Sequence, residues 1–150
     1  MAEFDWTPTS TPGHFFSRIA RAMTRIGDQR LKGLGFATAQ LPVLTALKDG
    51  AKLSQGELAR WAKVEQPTMA QLLVRMERAG LIKREADPTD GRSSLVSLTK
   101  AALKRIPQGR AILHQGNEEM LHDFSKAEVE MLLALLARVL ANVEAMEREL

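Results

Sequence analysis

The stretch from Leu81 to Lys100, LIKREADPTDGRSSLVSLTK, constrains this chain more than any other. Leu81-Ile82-Lys83-Arg84-Glu85 and Leu95-Val96-Ser97-Leu98 each partly alternate apolar with polar residues, the pattern of a half-buried strand. Between them, Asp87-Pro88 and Asp90-Gly91 are strong turn steps. The pattern predicts a β-hairpin with a polar tip that carries Arg92 and a base that carries Lys83 and Arg84. A lone two-stranded hairpin is marginal in water, so helices on either side must supply the surface it packs on. A small hairpin that follows two short helices is a wing, and its cations are placed to enter a groove or meet phosphates.

With 45% apolar residues among 150, the chain has enough material for one core, and a single compact domain is expected. The absence of cysteine excludes disulfides, cysteine-type zinc sites and thiol switches, and fits a reducing cytoplasm. No apolar run approaches the roughly 20 residues of a bilayer span. The opening MAEFDWTPTSTPGH lacks the basic start and apolar core of a secretion signal. A cytoplasmic protein with no membrane partner is therefore expected. The net charge of +3 is unevenly spread: residues 1 to 116 hold 18 basic and 10 acidic side chains, residues 117 to 150 hold 3 and 8. One end of the molecule should attract a polyanion and the other repel it.

Taken in order, residues 1–12 hold two prolines and several Ser or Thr and read as an arm, with Phe4 and Trp6 as apolar groups seeking a surface. A helix is expected from about Gly13 to Lys32: Phe16, Ile19, Ala20, Met23 and Ile26 recur at helical spacing, and Arg18, Arg21 and Arg25 fall on a different, solvated face. Gly33 and Gly35 end it. Thr38 should cap a second helix with Leu41, Leu44 and Leu47 buried and Pro42 near its first turn. Ala51 to Leu53 are a candidate third strand. Ser54-Gln55-Gly56-Glu57 reads as a capping box, opening a helix to about Ala62 that buries Leu58, Ala59 and, as a further candidate, Trp61. After Lys63 to Glu65, Gln66 and Pro67 read as cap and first residue of another helix. Met69, Leu72, Leu73 and Met76 form its apolar stripe; Gln66, Thr68, Gln71, Arg75 and Arg78 point mostly the other way. Ala79-Gly80 stops it before the wing.

Two short helices joined by a tight turn, the second with Gln, Thr and Arg outside, make a helix-turn-helix candidate. Gln pairs bidentately with adenine, Arg with guanine or phosphate, and Thr with a base edge or a thymine methyl. Any surface helix has polar residues outside, so the face alone discriminates little; the wing behind it adds a second contact point. From Arg60 to Arg84 there are six basic residues against two acidic.

Thr99 should cap a long helix from Lys100 toward Phe124, with Pro107 inside it as a site of kinking. Ser125-Lys126-Ala127-Glu128 is a further capping box. Val129, Leu132, Leu133, Leu136, Val139, Leu140, Val143 and Met146 then form a five-turn stripe. That exceeds what one small subunit covers, so the terminal helices are expected to form a dimer interface, with an intramolecular bundle as the alternative. His114, Glu118 and His122 share one helix face, a pattern compatible with a divalent metal. Each four-residue step rises about 6 Å, so one ion could take two of the three but scarcely all. Solvated polar residues or helix pairs are the plainer reading, and no metal or cofactor is expected. No nucleophile elbow, phosphate-binding loop or paired-carboxylate spacing points to an enzyme.

Phe36, Thr38, Gln40, Val43 and Leu44, then SQGELA at 54–59, QPTM at 66–69, Leu73, Met76-Glu77, Gly80-Leu81-Ile82, Arg84, Asp87-Pro88, Asp90-Gly91-Arg92 and Leu98-Thr99 together resemble the MarR family of bacterial transcription regulators. The resemblance runs from about residue 14 to the end and is most specific from Gln66 to Thr99. It implies a mainly α (α+β) winged helix-turn-helix fold: one MarR-like domain over 13–150, with 36–99 as DNA-binding lobe and 13–35 and 100–150 as dimerisation helices. It implies a homodimer on double-stranded DNA, a pseudo-palindromic operator, a repressor's role and release by a small aromatic or phenolic effector bound between the two parts. It places Gln66, Pro67, Thr68, Gln71 and Arg75 in the major groove and Arg92 in the minor groove, with Asp90 bracing the wing. Ser54, Gln55, Lys83, Arg84 and Ser93 are placed at phosphates. Phe15, Phe16, Ile112, Leu121, Val129, Leu132, Leu136, Leu140 and Val143 are placed at the dimer interface. Two departures stand out: Gly91 replaces the first of two arginines that many members carry after the wing aspartate, and Ala102 replaces a glycine and stiffens a helix start. A winged-helix protein-interaction module and a metal-responsive regulator are the alternatives.

Overall fold

The computed structural model describes residue 9 and residues 11–150; Phe4, Trp6 and most of the expected N-terminal arm lie outside the described residues. Helix α1 spans Pro12–Leu31, with proline in its first turn, where a missing N–H costs nothing. Phe15, Phe16, Ile19 and Ile26 are exposed along it, and only Leu31 at its end is buried. A tight turn over Lys32–Leu34 closes on Gly35, whose φ of 71° is the left-handed conformation that glycine adopts without strain.

Thr38 does not cap the next helix with its own side chain. It opens a short turn, Thr38–Gln40, and both its backbone N–H and its hydroxyl donate to the Asp28 carboxylate at 2.7 Å. The cap is thus supplied from ten residues upstream. Helix α2, Leu41–Leu47, buries Val43, Leu44 and Leu47. Strand β1 is Leu53–Ser54, shifted slightly past the expected Ala51–Leu53. Helix α3, Gln55–Ala62, opens with the expected capping box: Ser54 Oγ accepts from Glu57 N–H at 3.2 Å and Glu57 Oε2 accepts from Ser54 N–H at 2.7 Å. It buries Leu58 and Ala59 but not Trp61, which is 58% exposed because it falls on the outer side of the last turn.

Helix α4, Gln66–Arg78, buries Met69, Leu73 and Met76. Its N-cap is Glu65, not Gln66, because Gln66 is already helical and its side chain is turned toward α3. Strands β2, Ile82–Asp87, and β3, Asp90–Leu98, form the hairpin, and β1 pairs on the far edge of β3 to give an antiparallel sheet of order β1-β3-β2. The strands are longer than the alternation alone suggested, so the turn is Pro88-Thr89 and Asp90-Gly91 lies within β3. Asp87 fixes that turn by accepting from both the N–H and the hydroxyl of Thr89. Val96 and Leu98 on β3, Ile82 on β2 and Leu81 just before it close the core over α2, α3 and α4.

Thr99 does cap helix α5, Lys100–Met120: its hydroxyl accepts from Ala102 N–H at 3.2 Å and donates to Gly80 O at 2.8 Å, tying the end of the wing to the residue before it. Helix α5 runs unbroken through Pro107 and stops at Met120, short of Phe124. Ser125 and Glu128 form a complete reciprocal cap for helix α6, Lys126–Glu147. By compactness the chain divides within α5 into residues 1–113 and 114–150. The first unit contains every buried core residue; α6 in the second buries none. The mainly helical winged helix-turn-helix fold expected from the sequence is the one observed. Among the described residues no helix is long and apolar enough to cross a membrane.

Candidate nucleic-acid interface

The burial of Met69, Leu73 and Met76 fixes which way the rest of α4 faces. At about 100° per residue, the side opposite that stripe carries Pro67, Gln71, Val74 and Arg78, flanked by Thr68, Ala70 and Arg75. All but Ala70 are exposed. Ala70, Gln71, Val74 and Arg75 share one shallow concavity. Val74, 40% exposed, was not singled out in the sequence; the outward arc becomes visible only once the buried stripe is fixed.

At the start of α4, Gln66 Oε1 accepts from Gln55 Nε2 at 3.2 Å, which joins the first turns of α3 and α4. A side chain on Gly56 would come within 3.2 Å of Gln66 Nε2. Ser54 holds the α3 cap with its oxygen, which accepts from Glu57 N–H. Ser54, Gln55, Gln66, Pro67 and Thr68 are thereby gathered around two helix N-termini, whose free N–H groups favour negative charge.

In the wing, Asp90 Oδ1 accepts from Arg92 N–H at 3.0 Å, a brace between residues two apart on β3. Arg92 is exposed but stands in the strand, two residues beyond Asp90, and not at the tip, because the turn falls at Pro88-Thr89. Ser93 beside it is half-buried. Lys83 is exposed and opposite Ser97. Arg84 is half-buried and its Nε lies 3.6 Å from Glu77 Oε2, so it fastens β2 to α4. Lys52 Nζ meets Glu85 at 2.7 Å, and that lysine holds the Glu85 carboxyl below its usual range. The N–H and hydroxyl of Thr89 do the same to Asp87, and those of Thr38 to Asp28.

A second feature lies within the first unit. A cavity of about 220 Å³ is lined by Leu31, Phe36, Leu41, Leu44, Thr45, Lys48, Ile106, Gly109, Arg110 and Leu113. Its Phe36 wall is held by Arg105, whose guanidinium donates to Leu34 O at 2.6 Å and lies 5.7 Å from the ring centroid. Gly109 backs the same ring: a Cβ there would lie 3.4 Å from it. No local sequence signal marks this role of Arg105, since Leu34 and Phe36 are some seventy residues away; its short-range bond runs from Nε to Ala101 O.

Of the residues placed at a dimer interface, Phe15 and Phe16 on α1 and Leu136, Leu140 and Val143 on α6 are exposed, and Ile112, Leu121, Val129 and Leu132 are half-buried. His114 Nε2 pairs with Glu118 at 3.3 Å, whereas His122 faces Asp123 at 3.4 Å, so the three do not converge. Among the described residues no group of three or more His, Cys, Asp or Glu could hold a metal.

A trihelical core, a second short helix with an outward polar arc and a three-stranded sheet ending in a braced hairpin define a winged helix-turn-helix protein. The sequence profile of the MarR family matches residues 33–93. Among solved structures, an S. aureus MepR–DNA complex is 27% identical with a TM-score of 0.80, covering 88% of this chain and 98% of that one. A cysteine-to-serine mutant of E. coli MarR complexed with operator DNA is 25% identical, TM-score 0.79, covering 91% and 99%. The Streptomyces coelicolor transcriptional regulator PcaV in complex with its natural ligand is 26% identical, TM-score 0.75, covering 94% and 98%. Residues 33–93 of the chain thus match the MarR family, and its winged helix-turn-helix fold is shared with solved MarR-family regulators.

Proposed function

We propose that this protein is a cytoplasmic repressor that binds a pseudo-palindromic operator as a homodimer and is released by a small aromatic acid. The observation that carries the reading is the outward arc of α4, with Gln71 and Arg75 exposed, followed directly by a paired wing whose Lys83 and Arg92 are also exposed. Gln66, Pro67, Thr68, Gln71 and Arg75 enter the major groove; Arg92 reaches the minor groove on a strand braced by Asp90. Ser54, Gln55, Lys83, Arg84 and Ser93 contact phosphates, with Arg84 doing so from its anchored position. The lobe is residues 36–99, and 13–35 with 100–150 supply the dimer. Two such lobes must reach successive major grooves about 34 Å apart, so a small change in their spacing weakens both contacts together.

The cavity beside Phe36 suits the effector: its walls are apolar, its volume fits a single ring, and Lys48 and Arg110 offer cations for a carboxylate. The S. aureus and E. coli relatives are DNA complexes and the Streptomyces one holds its natural ligand, which supports both halves of the reading. The test is duplex binding across a salt series. Arg92→Ala is expected to weaken binding by about 1 to 3 kcal/mol and flatten the salt dependence. An unchanged affinity and slope would remove the wing, and failure of the wild-type chain to bind any duplex at low salt would leave a protein-interaction module in its place.

A further inference from the structure

We infer that Val74 is a specificity-determining residue that reads a thymine C5-methyl in the major groove. The inference rests on the DNA-binding reading above and adds to it the identity of one base. Val74 lies on the α4 arc that faces away from Met69, Leu73 and Met76, in the same concavity as Ala70, Gln71 and Arg75. It is 40% exposed, an apolar group amid amides and guanidinia on the one helical face that this fold turns toward a groove. Base edges in the major groove are otherwise hydrogen-bond donors and acceptors; the thymine methyl is the apolar exception. An isopropyl group seated on a guanine acceptor or a cytosine amino group would cut it off from water without replacing the hydrogen bond, which is unfavourable. Seated on a thymine methyl, the same group removes two apolar surfaces from water together.

The neighbours sharpen the expectation. Gln71, one turn toward the N-terminus, is suited to adenine, and Arg75, the next residue in sequence, to guanine or a phosphate. Ala70, half-buried beside Val74, extends the apolar spot without adding a group that needs a partner. The half-site therefore contains a thymine that is recognised through its methyl, next to a base recognised by Gln71.

The experiment uses the full chain and duplexes selected from a random pool. Each thymine of the selected half-site is replaced in turn by deoxyuridine, which keeps every hydrogen-bonding group and deletes only the methyl. One symmetry-related thymine is expected whose replacement weakens binding about fourfold per half-site, the value of one buried carbon. Val74→Ala, an exposed substitution that leaves the core intact, is expected to bind the thymine and deoxyuridine duplexes equally. The inference is overturned if every deoxyuridine duplex binds like its parent, or if Val74→Ala keeps the full penalty, which would assign the methyl to another side chain. If no duplex is selected at all, the DNA-binding reading fails and the inference goes with it.

Discussion

Helices α4 and α6 are both rich in apolar residues, yet they end in opposite situations. In α4 the apolar stripe of Met69, Leu73 and Met76 is sealed against its own lobe, and what faces outward beyond Pro67 and Thr68 of the first turn is amide, guanidinium and one valine. In α6 no residue is buried, and Met131, Leu133, Leu140 and Met146 are each more than half exposed. A contiguous apolar face of that kind on a solvated protein marks a surface that expects a partner. The comparison separates two uses of an amphipathic helix: α4 is fixed by its own chain so that it can present a polar face, while α6 leaves an apolar face open, the face to which the proposed dimer assigns a second copy.

The most severe way to break the contrast is to charge α6. Leu136→Glu with Leu140→Glu is expected to yield monomers in sedimentation and to lower affinity for a two-half-site duplex by about a hundredfold or more, since linked binding of two lobes is lost. Persistence of the dimer would show that α6 is not its seam. Next, Leu73→Ala should destabilise the lobe by about 2 to 5 kcal/mol in urea titrations, because the side chain is fully buried. That loss should not depend on protein concentration, whereas truncations in α6 should.

A smaller effect is expected at Asp28. Its carboxyl is held below the usual range first by the Thr38 N–H and then by the Thr38 hydroxyl. A depressed carboxylate stabilises the fold above its unfolded pKa of about 3.9 and ceases to do so as pH falls through the lower folded value. Asp28→Asn should therefore flatten the pH dependence of stability in that acid window and leave it unchanged near neutrality. Smallest of all is Ser97, buried in β3 with no hydrogen-bond partner for its hydroxyl. Ser97→Ala should be neutral or stabilising by up to about 1 kcal/mol in thermal unfolding, since a hydroxyl left unpaired contributes nothing to hold the strand.

Most elements were legible because their signals are local. A capping box such as Ser54 to Glu57 joins residues three apart, a helical stripe repeats within two turns, and a Pro-containing turn declares itself in four residues. The resemblance carried by residues 36–99, most specific from Gln66 to Thr99, added the expected fold. Where the reading slipped, a contact from outside the local window decided the outcome. Gln66 looked like a cap until Gln55 drew its side chain away. Arg92 looked like a tip residue until strand pairing ran on to Asp87 and Asp90. Trp61 was a core candidate until the helix turned it outward.

The sequence by itself determined the order of helices, the wing, the uneven charge and the resemblance to a family, because each is written in neighbouring residues or in composition. Only the tertiary structure decided that Asp28 caps the turn at Thr38, that Arg84 locks β2 to α4 through Glu77, that Arg105 holds the Phe36 wall of the cavity, and that Val74 stands on the outward arc. The reason is physical: such side chains are long or their partners remote, and which partner each meets depends on how the core has already packed, information that no short window of sequence contains.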